Sequence, residues 1–200
     1  MARRGGVDGQ TSPRLPQMLF SLNMRDHMPH ERSNAFDFWG PKTLIGPELR
    51  PGDRAPAFRL TGQRDATISS EQFAGQPLII SVVPSLDTGV CSQQTRRFNE
   101  AAAALGAGVQ ILTVSADLPF AQARWCGVEG IDRVIVASDY KDMCFGSAYG
   151  THIKELRLES RAVFVVDAEG IIRYAEYVPL AGQEPNYDAA LAAARELAAI

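Results

Sequence analysis

The sequence predicts an α/β domain, a mixed β-sheet with helices on its faces. Three observations predict it: apolar β-branched runs of strand length, helical stripes between them, and glycine- or proline-bearing turns at the joins. Pro77 to Val83 is such a run, suited to a buried central strand. From Cys91 to Leu105 the positions Cys91, Phe98, Ala101, Ala102 and Leu105 share one helical stripe, and Gly106 and Gly108 follow as terminators. Val109 to Val114 is a second strand. Asp117 then stands where a helix cap is wanted, with Pro119 in the first turn, Trp125 near the end and Gly127 as the stop.

Arg133 to Ala137 and Ala162 to Val166 are two further strand-like runs. Asp167-Ala168-Glu169-Gly170 is a turn sequence, and Ile171 to Val178 returns after it, which predicts a β-hairpin. A last helix, Tyr187 to Ala199, places Tyr187, Leu191, Ala194 and Leu197 on its inner face. Residues 1–35 show no sustained period and read as a mobile extension, leaving 36–200 as one domain of ordinary size.

Composition narrows the function. Hydrophobic residues at 46% and charged residues at 22% are those of a soluble globular chain. A net charge of −3 offers no basic footprint for nucleic acid or an anionic membrane. No apolar run nears the roughly 18 residues of a membrane span, and none follows Arg3 and Arg4 as an export signal requires. A cytoplasmic location is the expectation. Gly106-Ala107-Gly108 has Ile111 where a dinucleotide fingerprint needs its third glycine, and no phosphate loop is present, so no cofactor is expected. His27, His30 and His152 lack partners at zinc-site spacing, so no metal is expected either. Asp117 and Glu129 read as a cap and a solvated side chain, not as an acid–base pair.

Three cysteines, Cys91, Cys126 and Cys144, are too few and too odd in number for a disulfide framework. Cys91 stands apart from the other two. A buried strand runs through Pro84 and Gly89 into a helix that opens around this residue. The free N–H groups and positive end of that helix favour thiolate, the reactive form of the sulfur. By position alone Cys91 reads equally as a small core residue against the sheet. Cys126 alone reads as packing beside Trp125, and Arg161 alone as a surface cation flanking a strand.

The spacing Pro84–Thr88–Cys91 changes that balance. It resembles the peroxiredoxin active-site pattern Pro-x-x-x-Thr-x-x-Cys. More narrowly, Pro-Ser-Leu-Asp-Thr-Gly-Val-Cys (84–91) is similar to the bacterial thiol peroxidases, the atypical two-cysteine peroxiredoxins. The likeness continues through Val114–Gln122, Trp125-Cys126-Gly127, Ala148-Tyr149-Gly150 and Arg161–Asp167, with Leu49–Phe58 upstream. The resemblance implies a thioredoxin-like fold with an N-terminal β-hairpin. It implies that Cys91 attacks a hydroperoxide and becomes a sulfenic acid, which Cys126 then captures as an intramolecular disulfide. Thr88 would orient the peroxide, Pro84 shield the pocket, and Arg161 hold the thiolate and polarise the O–O bond. Thioredoxin as reductant and a homodimer come with the same resemblance.

Cys91 and Cys126 fall on two different predicted helices, so bridging them calls for local unwinding. Cys144 receives no catalytic role and is expected to be a buried structural thiol. Two other readings stand beside the main one: a one-cysteine peroxiredoxin using an external thiol, and a non-enzymatic redox sensor. A thioredoxin-type oxidoreductase is disfavoured, because no second cysteine lies three residues after Cys91.

Overall fold

Two of the runs that sequence reads as apolar strands, Leu78–Val82 and Ala162–Val166, are buried at every position. In the computed structural model, which describes residues 30–105 and 108–198, the elements follow in chain order. They are β1 (Glu31–Asp37), β2 (Pro41–Ile45), β3 (Arg59–Thr61), β4 (Thr67–Ser69), β5 (Leu78–Val82), α1 (Gly89–Leu105), β6 (Gln110–Ser115) and α2 (Pro119–Glu129). There follow β7 (Ile135–Ser138), α3 (Cys144–Tyr149), β8 (His152–Ile153), β9 (Leu158–Glu159), β10 (Ala162–Val166), β11 (Ile172–Tyr177) and α4 (Tyr187–Ala198).

A seven-stranded sheet has the order β11-β10-β5-β6-β7-β3-β4. Its centre, β5-β6-β7, is parallel; β10 runs antiparallel to β5, and β11 to β10, as the predicted hairpin. A second, four-stranded sheet pairs the antiparallel N-terminal hairpin β1-β2 with β8 and β9. This mixed sheet flanked by helices, with its N-terminal hairpin, is the thioredoxin-like fold that the resemblance implies.

Period-two alternation divides the core. Leu78, Ile80 and Val82 of β5 and Ala162, Phe164 and Val166 of β10 join Phe58, Phe145 and Tyr149 on one face. Ile79, Val163 and Val165 face the other way, against Phe98 of α1 and Tyr187, Ala190 and Ala194 of α4. Each such fully buried aliphatic side chain contributes about 1.5–3 kcal/mol. Ser81 interrupts the run on the α1 side, and Gln94 satisfies it: Gln94 Nε2 donates to Ser81 Oγ at 2.8 Å.

The structure corrects several details. Asp117 does not cap α2: Leu118 holds the N-cap position with no side-chain bond, while Pro119 does sit at the first turn. The Asp117 carboxylate is taken by Ser85 Oγ, the Leu86 N–H and Ser115 Oγ. Gly127 does not stop α2, which continues to Glu129 and ends on Gly130 in the left-handed conformation. Strand β1 opens at Glu31, inside the segment 1–35 read as an extension. Residues 1–29 of that segment, and Gly106 as a terminator, lie outside the described residues.

Candidate active site

Strand β5 ends at Val82, and residues 83–88 carry the chain from the C-terminal end of this interior strand into α1. Asp117 pins this loop from the end of β6, through Ser85 Oγ at 2.7 Å and the Leu86 N–H at 2.8 Å. Ser92 N–H donates to Thr88 O at 2.9 Å, so the helix is already closing as it passes Cys91. Cys91 therefore lies in the first turn of α1, with its side chain fully buried.

Arg161 reaches the same sulfur from the position just before β10. The β10–β5 register pairs Ala162 with Val82, which brings Arg161 beside the start of the loop. It is not a surface cation: only 1% of the residue is exposed. Nη1 donates to Gln94 Oε1 at 2.6 Å, and Nη2 donates to Ala181 O at 2.7 Å and to Cys91 Sγ at 3.3 Å. A planar guanidinium held by a side chain on α1 and a backbone carbonyl is fixed in direction, as a lysine ammonium would not be. Its Nε has no partner among the described residues.

Cys91, Arg161, Thr88 and Pro84 line one cavity of about 480 Å³, together with Phe38, Trp39 and Leu180. The Thr88 hydroxyl donates to Ser85 O at 3.1 Å, which leaves its lone pairs available to accept a proton donor. Pro84 is buried in the wall. Four of the five residues singled out by sequence thus meet at one place.

Cys126 does not line the cavity. It lies behind it on α2, in the apolar cluster of Val83, Leu86, Cys91 and Trp125. Both cysteines are free and buried, and burial pushes the Cys126 thiol above its ordinary pKa. Cys144 contradicts its expected burial. It opens α3, whose inward positions are Phe145, Gly146 and Tyr149, so the residue before them faces out and is exposed.

Sequence reasoning missed Gln94, the clamp role of Asp117 and the hairpin wall. Gln94 lies one turn after Cys91 on the same helical face, a signal that was present. The wall had no such signal: Asp37 bridges to Leu180, across most of the chain.

Residues 50–191 match the Redoxin family model. The thiol peroxidase of Bacillus subtilis (strain 168) is 54% identical over 158 residues, covering 79% of this chain and 94% of the relative. The thiol peroxidase of Streptococcus pneumoniae (strain ATCC BAA-255 / R6) is 52% identical over 157 residues, covering 78% and 96%. Among solved structures, a peroxiredoxin-like protein from Aquifex aeolicus superposes with a TM-score of 0.75 at 38% identity, covering 84% of this chain and 99% of its own. A buried cysteine under a fixed guanidinium, on this fold and with these relatives, places the chain in the Redoxin family, among the bacterial thiol peroxidases of the peroxiredoxin class.

Proposed function

We propose that this peroxidase works by a two-cysteine cycle, with Cys91 as nucleophile and Cys126 as its disulfide partner. The observation that carries the reading is the 3.3 Å contact from Arg161 Nη2 to Cys91 Sγ at the cavity. Cleaving a peroxide is a displacement at oxygen, which needs an anionic sulfur, an in-line approach and stabilisation of the departing oxygen. The Cys91 thiolate attacks one peroxide oxygen, and the O–O bond breaks. The other oxygen leaves as an alkoxide or hydroxide and takes a proton to become alcohol or water. Cys91 becomes a sulfenic acid. Thr88 accepts the peroxide O–H and so orients it, Pro84 closes the pocket, and the guanidinium of Arg161 balances the charge that moves from sulfur to oxygen.

Cys126 sulfur then attacks the sulfenic sulfur, water departs, and a Cys91–Cys126 disulfide forms. The two residues start on separate helices, and burial disfavours the Cys126 thiolate. Unwinding the turns around both would solve both problems at once, letting the Cα atoms take up the separation of at most about 7 Å that a disulfide requires and admitting water. Amide exchange faster around 91 and 126 in the oxidised form supports this step; equal protection in both forms contradicts it. Thioredoxin, through dithiol exchange, completes the cycle. A homodimer in the cytoplasm is the accompanying assembly.

Intact and peptide mass spectrometry after one equivalent of hydrogen peroxide tests the cycle. The wild type should lose roughly two daltons, as disulfide formation requires, mapped to Cys91–Cys126, and Cys126→Ser should hold a sulfenic acid at Cys91. An oxidised Cys91 with Cys126 still free points to an external thiol. Peroxide persisting over a reduced Cys91 ends the reading.

A further inference from the structure

Cys126 sits in the last turn of α2, and that turn is held from outside its own helix. The Cys126 carbonyl accepts the N–H of Gly130, the left-handed residue that ends the helix, and the Ile131 N–H at 3.0 Å. Helix α1 grips the same stretch at two points. Arg96 Nη1 donates to Glu129 Oε2, and Asn99 Oδ1 accepts the N–H groups of Arg133 at 2.8 Å and Asp132 at 3.3 Å. Arg96 and Asn99 are three residues apart, so they lie on one face of α1. Both follow Cys91 along that helix, beyond the first turn that carries the sulfur.

The two points differ in kind. Asn99 takes two backbone donors without a charge, so salt leaves its grip intact. Arg96 and Glu129 are joined by charge at 44% and 28% side-chain exposure, where an ion pair contributes little and is screened. Glu129 is also ill suited to its own helix. It puts a carboxylate at the negative end of α2, whose last turn has no basic residue. The Arg96 guanidinium offsets that repulsion from the neighbouring helix. A turn weakened by its own side chain and steadied by an exposed contact is easily released. The ion pair at the other end of the two helices, Arg124 Nη2 to Asp87 Oδ2 at 3.7 Å, is longer and more exposed.

We propose that Arg96 and Glu129 are positioning residues, a salt-sensitive latch that times the capture of the Cys91 sulfenic acid by Cys126, with Asn99 as the hinge. The inference rests on the two-cysteine reading. When the ion pair parts, the last turn of α2 unwinds while residues 132–133 stay fixed to α1. Cys126 sulfur then attacks the sulfenic sulfur. The S–S bond forms, the S–O bond breaks, and the hydroxyl leaves as water with the Cys126 thiol proton.

The test follows, by quenched-flow mass spectrometry with one equivalent of hydrogen peroxide, the decay of the Cys91 sulfenic acid into the Cys91–Cys126 disulfide. At low salt, Arg96→Met should make that step about fivefold faster than in the wild type, because an unpaired Glu129 then repels its own helix end. Glu129→Gln removes the latch and the repulsion together and should stay within about twofold. Raising sodium chloride from about 20 mM to about 500 mM should quicken the step in the wild type and in Arg96→Lys, and leave Glu129→Gln unchanged. Amide exchange separates a released turn from a damaged fold. It should quicken at Gly130 and Ile131 in Arg96→Met and stay slow at Arg133, which Asn99 holds. An unchanged rate in Arg96→Met, a salt dependence that survives in Glu129→Gln, or equal quickening at Arg133 overturns the proposal. A sulfenic acid that never passes to Cys126 in any of these proteins fails the two-cysteine reading instead.

Discussion

Two helices of this chain carry a cysteine in their first turn, and the two sulfurs keep opposite company. Cys91 is fully buried, yet a guanidinium stands 3.3 Å from its sulfur at a cavity. Cys144 is exposed, but Asp139 and Asp142 lie close by, all three ligand atoms within 4.8 Å of one another. Partial burial first, then the hydrogen bond to Asp142 and the charges of Asp139 and Asp142, push the Cys144 thiol up to about 11. A helix N-terminus is common to both, so it cannot by itself account for the reactivity proposed for Cys91. What differs between the two is the sign of the nearest charge: a guanidinium at Cys91 and carboxylates at Cys144.

Removing the cation should give the largest effect. Arg161→Met is expected to lower kcat/KM for hydrogen peroxide by about 10²–10³-fold, the scale on which fixed donors stabilise a developing oxyanion. It also strands Gln94 Oε1 and Ala181 O, so initial peroxide consumption is to be read beside a thermal melt. Arg161→Lys should recover little, because one ammonium cannot span Gln94, Ala181 and the sulfur in the same geometry. A folded Arg161→Met with near-normal turnover would break the contrast with Cys144.

This contrast was half legible in the sequence. The loop and the proposed nucleophile are local: Pro84, Thr88 and Cys91 lie within eight consecutive residues, and the strand before them is apolar but for Ser81. Arg161 carried no such signal, since its proximity depends on β10 lying antiparallel to β5, and only the family resemblance pointed to it. Cys144 was misread because α3 has six residues, too few to show which phase faces in. Strands β3, β4, β8 and β9, at two or three residues each, are likewise too short to show alternation. Asp117 was misassigned for another reason: the hydroxyls of Ser85, 32 residues away, and of neighbouring Ser115 outcompeted the helix for its carboxylate.

The acidic region has a tighter centre than Cys144 alone. Gly146 N–H donates to Asp139 Oδ2 at 2.9 Å, and a Cβ at Gly146 would stand 2.6 Å from Glu159 Oε1. Glu159 is fully buried and lies two residues before Arg161. Gly146→Ala is therefore expected to destabilise by about 1–3 kcal/mol through overpacking, read as a lowered denaturation midpoint. Unchanged stability would mean that the carboxyl can move aside, and that the two regions are less rigidly joined than β9 suggests.

The charge state of that centre gives a smaller, pH-dependent effect. Burial first, then the neighbouring Asp139, holds the Glu159 carboxyl well above its ordinary 4.5. Thr151 Oγ1 donates to Glu159 Oε2, while Oε1 finds no donor; a proton on Glu159 offered to Asp139 resolves this. The unfolded chain releases that proton above about pH 4.5, whereas the folded chain keeps it, so stability falls as pH rises above that value. Asp139, also raised by burial, adds the same sign. Glu159→Gln retains a donor toward Asp139 and removes the titration. Its stability relative to wild type should rise by about 1 kcal/mol between pH 5 and pH 8, measured by urea unfolding. Parallel pH profiles would contradict a shared proton.

The mildest intervention leaves turnover alone and asks whether Cys144 is as inert as its neighbours require. With its thiol pushed up to about 11, little thiolate exists at pH 8. Alkylation by iodoacetamide should then run roughly a hundredfold slower than at an ordinary exposed cysteine, rising about tenfold per pH unit toward pH 10. Asp142→Asn keeps an oxygen for the Cys144 N–H, which now donates to Asp142 Oδ1 at 3.1 Å, but removes the charge. Alkylation at pH 8 should quicken several-fold in that variant while peroxide turnover stays unchanged. Peptide mass spectrometry after timed quenching reads the rate at Cys144. An ordinary rate in the wild type would mean that the carboxylates do not govern this thiol, and the charge difference between the two helices would no longer explain why one cysteine reacts.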